Sequence, residues 1–116
     1  MLNVERLDMG DITTLRVSGE VDGVGANTLR DAIKQCVAEK RYHLVLTMSH
    51  VMFLSYMGAG VLVEGLGLVQ TFHGDIKLAS LNIQSRRLLS MMGLGHVFEL
   101  HSSEMSAVQG YKQEAA

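Results

Sequence analysis

At 116 residues the chain is the size of one domain, and with 47% hydrophobic and 19% charged residues it has the apolar content to bury a core. A net charge of −2 gives no electrostatic case for nucleic acid or an acidic membrane surface. The single cysteine, Cys36, excludes an internal disulfide framework and a thiol clamp on a metal, and suits a reducing cytoplasm.

In chain order, Asn3–Met9 alternates loosely, Gly10-Asp11 reads as a turn, and Ile12, Leu15 and Val17 lie in a Thr-rich strand, so the chain opens on a hairpin. The first ten residues carry Glu5, Arg6 and Asp8 and no apolar signal core. Gly19–Gly25 reads as a loop. A helix over about Gly25–Glu39 follows, with Leu29, Ile33, Cys36 and Val37 on one face. His43–Met48 holds Leu44, Val45 and Leu46 in a row, the pattern of a strand covered on both sides.

Met57 to about Phe72 is the second helix, stopped near Gly74. Val51–Phe72 is the longest apolar stretch, but glycines and Glu64 interrupt it, so it reads as a buried helix with its lead-in and not as membrane insertion. Asp75–Leu81 is a strand, Ile83–Met92 a short helix, Val97–Leu100 the last strand, and Ser103 to about Tyr111 the last helix with Ser103 as its cap. Residues 1–112 read as one domain and 113–116 as a short frayed tail. The predicted class is α/β, with a mixed sheet of four to five strands and about four helices packed on it.

The ordered set of local patterns carries a family resemblance. Gly19-Glu20-Val21-Asp22 looks like a strand-end motif of Gly, any residue, an aliphatic residue and Asp. Leu44–Val51 looks like a central strand and its turn, Phe53-Leu54-Ser55-Tyr56-Met57-Gly58 a signature loop, and Arg87-Leu88-Leu89 through Val97-Phe98 a C-terminal third. Together these resemble the STAS family of the anti-sigma-factor-antagonist type, over nearly the whole chain. The resemblance implies a cytoplasmic, non-enzymatic partner-switching module. Its partner would be an anti-sigma factor or a serine kinase of histidine-kinase-like ATPase fold, with a homodimer as a further possibility. The alternative within the same resemblance is a structural subunit, of a stressosome-like scaffold or a lipid-transporting ABC complex.

The departures fall in the signature loop. The family loop reads Asp-Ser-Ser/Thr-Gly, with the first hydroxyl as phosphoacceptor, where this chain has Ser55, Tyr56, Met57 and Gly58. Thr47 stands where the central strand often ends in Asp, and His50 where the turn has glycine. A tyrosine hydroxyl lies much farther from the backbone than a serine hydroxyl, and phosphoryl transfer is mostly positioning, so the usual serine switch is expected to be absent. Ser55 reads as a helix N-cap in preference to a phosphosite.

The second helix is apolar nearly all round, so either other helices cover it or it is an interface. The candidate partner-binding residues are Asp22, Tyr56, Met57, Val63 and Leu68. Asp22 reads equally as a residue that orders its loop. The five histidines have no ligand spacing, no glycine run matches a phosphate loop, and no nucleophile–base pair is evident, so no metal, cofactor or catalytic residue is expected. Of the eight methionines, Met48 reads as core and Met57 as surface contact.

Overall fold

A computed structural model describes residues 1–115. Strand β1 (Asn3–Met9) turns at Gly10-Asp11 into β2 (Ile12–Val21), and the two pair antiparallel. Gly10 takes φ +59°, the left-handed conformation such a tight turn needs. Helix α1 (Gly23–Ala38), β3 (His43–Leu54), α2 (Tyr56–Gln70), β4 (Asp75–Ala79), α3 (Ile83–Met91), β5 (Glu99–His101) and α4 (Glu104–Ala115) follow.

The sheet order is β1-β2-β3-β4-β5, with β2 through β5 parallel. Each new parallel strand is added on the same side of the last. Right-handed crossovers therefore bring α1, α2 and α3 onto one face of the sheet. There they close a core with Leu15, Leu29, Ile33, Leu46, Leu62 and Leu78. Helix α4 follows the last strand, is free of that constraint, and covers the opposite face over Ile12, Val45 and Ala79 with its own Ala107 and Tyr111. Leu44 and Leu46 point into the first core and Val45 into the second, which is why three apolar residues run in succession.

Several boundaries differ from the sequence reading. Gly19–Gly25 is not a loop: β2 continues to Val21 and α1 begins at Gly23, leaving Asp22 alone between them. β3 extends six residues past Met48, to Leu54, so His50 is a strand residue and not a turn. Its outer half no longer pairs with β4, and side chains from the start of α3 satisfy its carbonyls instead, so the pattern of sequence apolarity weakens while the strand persists. The last strand is Glu99–His101, shifted from Val97–Leu100. The predicted tail begins inside α4, and Ala116 lies outside the described residues. α4 continues through Gln113 and Glu114 to Ala115, because Glu114 turns back to an ammonium group on the sheet.

Helix α2 buries Gly58, Ala59, Val61, Leu62, Gly65, Leu66 and Val69 and leaves Tyr56, Met57, Gly60, Val63, Glu64, Gly67 and Gln70 exposed. Among the described residues, no other helix covers that outer edge. A Cβ added at Gly60 or Gly67 meets nothing within 4 Å. Gly60→Ala and Gly67→Ala are therefore each expected to stabilise the protein by about 0.5–1 kcal/mol in chemical denaturation, the helix-propensity difference alone. A loss of stability at either position would show that this edge is packed. The buried glycines differ, since a Cβ at Gly58 would lie 2.6 Å from Val21 Cγ1.

Candidate functional site

Three helices begin side by side at the carboxyl ends of β2, β3 and β4, and each is capped by the residue before it. Asp22 Oδ1 accepts from Gly25 N at 2.7 Å, Ser55 Oγ from Gly58 N at 3.0 Å, and Asn82 Oδ1 from Ser85 N at 2.8 Å. Each cap satisfies one N–H that the first turn leaves free. These oxygens occupy the place an anion would take at a helix N-terminus. Asp22 is thus the N-cap of α1, at an exposed position.

Ser55 has a second bond. Its hydroxyl donates to Val21 O at 2.6 Å, and its backbone N–H donates to the same oxygen at 3.0 Å. The start of α2 is thereby hooked to the end of β2, which only a residue without a side chain at Gly58 permits. On the other flank, Gln84 clamps the end of β3. Its amide donates to Leu54 O at 2.9 Å, and its oxygen accepts from Leu54 N at 3.0 Å. Asn82 Nδ2 donates to Val51 O at 3.0 Å.

The result is a rigid apex with an apolar outer surface. Tyr56 is 62% exposed and Met57 58%, and Met52, Phe53, Val24 and Ile83 are exposed as well. Met57 packs over the bare backbone of Gly23, its sulfur 3.7 Å from where a Cβ would stand. These large apolar side chains are exposed at the end of the molecule where the three helices begin.

The candidate residues divide. Ser55, Tyr56, Met57, Gly58 and Asp22 come together at the apex, with Ser55 and Gly58 inside it and Tyr56 and Met57 outside. Val63 is exposed two turns farther along α2. Leu68 is half-buried in a groove between α1 and α2 with Arg30, Ile33, Lys34 and Glu64, where Arg30 and Glu64 pair at 3.1 Å. Phe72, two residues past the end of α2 and exposed, stacks on Tyr42 with ring centroids 4.5 Å apart. Sequence reasoning missed the Asn82–Gln84 clamp, for which Asn82 followed three residues later by Ser85 was the available cap signal. It also missed the exposure of Val24, Met52 and Phe53.

The STAS domain family model matches residues 3–107. The chain belongs to the STAS domain family. The anti-sigma-F factor antagonist RsfB of Mycobacterium tuberculosis is 31% identical to this STAS domain over 114 residues, covering 96% of the chain and 90% of that protein. An anti-sigma factor antagonist from Mycobacterium paratuberculosis superposes with a TM-score of 0.85 at 26% identity, over 95% of this chain and 93% of that one. The unphosphorylated form of the antagonist SpoIIAA shares the fold, with a TM-score of 0.83 at 16% identity over 97% of both chains. The STAS domain is of the anti-sigma-factor-antagonist kind, a regulatory binding module and not an enzyme. Among the described residues, none of its helices is long and apolar enough to cross a membrane.

Proposed function

We propose that this STAS domain docks through the apex and outer edge of α2 onto an anti-sigma factor, or an ATPase-fold kinase acting as one, in the cytoplasm, and that it does so without a serine phospho-switch. Tyr56 and Met57 are the central contacts, Val63 extends them along the helix, and Asp22 borders them. The observation that carries the reading is the exposed apolar end of the molecule held on three capped helix starts. A rigid apolar patch loses little conformational entropy on docking, which favours binding.

The absence of a phospho-switch rests on the loop itself. The usual acceptor position is Tyr56, whose hydroxyl is far from the backbone, and the neighbouring hydroxyl, Ser55, is spent as a donor to Val21 O. A phosphate on Ser55 would forfeit that donor. Binding is therefore constitutive, and control lies in expression or in the partner. Intact-mass measurement of protein isolated from its host, with and without activating stress, is expected to find no stoichiometric phosphate. A phosphate on Ser55 or Tyr56 that tracks the signal would defeat this part of the reading.

Docking is tested with Val63→Glu. Val63 is exposed, so the charge is expected to weaken association with the anti-sigma factor at least tenfold while circular dichroism and the melting temperature stay unchanged. Undiminished binding would move the interface elsewhere. A large homo-assembly or a transporter ATPase as the bound species would favour the scaffold or transporter-subunit role.

A further inference from the structure

We infer that the docking surface continues onto α3 and that Arg87 there receives a carboxylate of the partner, so that the partner contributes an acidic, apolar segment seated in one orientation. The inference rests on the docking reading above and names the partner chemistry of that surface.

Ile83, Arg87 and Met91 recur at four-residue steps and share one exposed edge of α3. Ile83 is 65% exposed and Met91 75%, and with Gln84 and Leu88 they line a concavity of about 410 Å³. Gln84 fastens this edge to the end of β3 through its two bonds to Leu54, the residue before Ser55. The groove is therefore tied to the strand end that leads into the Tyr56 apex.

Charge decides what fits. Arg6, Arg16, Arg30, Arg41 and Lys77 all have carboxylate partners within the domain. Arg86 and Arg87 are exposed and, among the described residues, in no ion pair, as are Lys34 on α1, Lys40 just beyond it and Lys112 on α4, so Arg86 and Arg87 are the unpaired cations on α3. An unpaired guanidinium set between two exposed apolar side chains matches a carboxylate on an otherwise apolar segment, and the planar group favours two-point recognition. The other flank of the apex carries exposed Glu20 and Asp22, with Glu20 paired in register with Phe53 across β2 and β3. An acidic segment is attracted at α3 and repelled at the β2–α1 corner. Charge of opposite sign at the two ends fixes orientation more than it adds affinity. Two arginines on a domain of net charge −2 make no footprint for nucleic acid.

The test uses the full chain and the purified anti-sigma factors of its host, each titrated calorimetrically at about 50 and 300 mM salt. Arg87→Glu is expected to weaken binding tenfold or more at low salt, and less at high salt. Arg87→Lys keeps the charge without the two-point geometry and should lose part of the affinity, Arg87→Ala should lose more, and Arg87→Glu most. The position is exposed, so melting temperatures should match the parent, and a variant that melts early is replaced by Arg86→Glu as a check on the field alone. Parent-like binding by Arg87→Glu, while Val63→Glu fails to bind, overturns the extension to α3 and leaves the docking reading standing. Equal loss with Arg87→Lys and Arg87→Glu overturns the carboxylate and leaves only shape. Failure of the parent chain to bind any of these factors removes the docking reading and this inference together.

Discussion

Replacing Glu99 and Glu114 together by alanine is expected to destabilise the domain by about 3 kcal/mol, the low end of what breaking a buried ion pair costs. Lys77 lies on β4 under α4, and its side chain is 0% exposed. Its ammonium sits 2.7 Å from Glu99 Oε2, 2.7 Å from Glu114 Oε1, 3.9 Å from Asp75 Oδ2, and 4.6 Å above the Tyr111 ring centre. Burial alone pulls the ammonium pKa down, but the hydrogen bonds to Glu114 and Glu99 outweigh it and hold it above the ordinary lysine value. The carboxylates are about half exposed, so water can partly replace them, which places the effect at the low end. Lys77→Met should cost little or stabilise, since it fills the same space without a charge to solvate. A double alanine variant as stable as the parent in urea denaturation would show that water alone suffices for Lys77.

The same cluster sets a pH dependence. The hydrogen bond from Lys77 and, after the opposing effect of burial, that of His101 hold Glu99 below the usual carboxylate range. Its stabilisation is present above the ordinary glutamate value of about 4.3 and is lost as pH falls through the lower, folded value. The raised Lys77 contributes below the ordinary lysine value of about 10.4, and that contribution is lost as pH rises through its folded value. Burial raises Asp75, so its ionisation opposes folding and offsets part of the acid-side loss. Below about pH 4, the parent should lose stability more steeply than Lys77→Met. Parallel curves would remove the cluster as the cause.

Ser55→Asp is expected to cost about 1–2 kcal/mol in thermal or urea unfolding, although Asp caps helices as well as Ser does. Capping preference alone would make the exchange neutral. The structure reverses that expectation, because the Ser55 hydroxyl both accepts from Gly58 N and donates to Val21 O at 2.6 Å. A carboxylate keeps the first bond, loses the second, and sets an anion against a carbonyl oxygen. Ser55→Thr preserves both bonds and should restore most of the stability. A Ser55→Asp protein that melts like the parent would mean that the hook to β2 contributes nothing.

Elements whose residues answer to their own neighbours were legible from the chain alone. The Leu29, Ile33 and Cys36 spacing marked α1, the Leu44–Leu46 run marked a strand buried on both faces, and Gly10-Asp11 marked the hairpin. The Ser55 cap was legible too, because capping preference is a local property. The outer half of β3 was not legible, because Val51–Leu54 is held by Asn82 and Gln84, some thirty residues distant. Lys77 was likewise hidden. A lysine in an exposed-looking strand is buried only because α4 folds back across the sheet and brings Glu114 to it. The exposed edge of α2 was undecidable from composition, since an apolar helix looks alike whether covered or bare. Sequence periodicity determined which elements form and which of their faces are apolar. Tertiary structure alone decided which apolar faces remain uncovered and which charges are neutralised, because both depend on contacts between residues far apart in the chain.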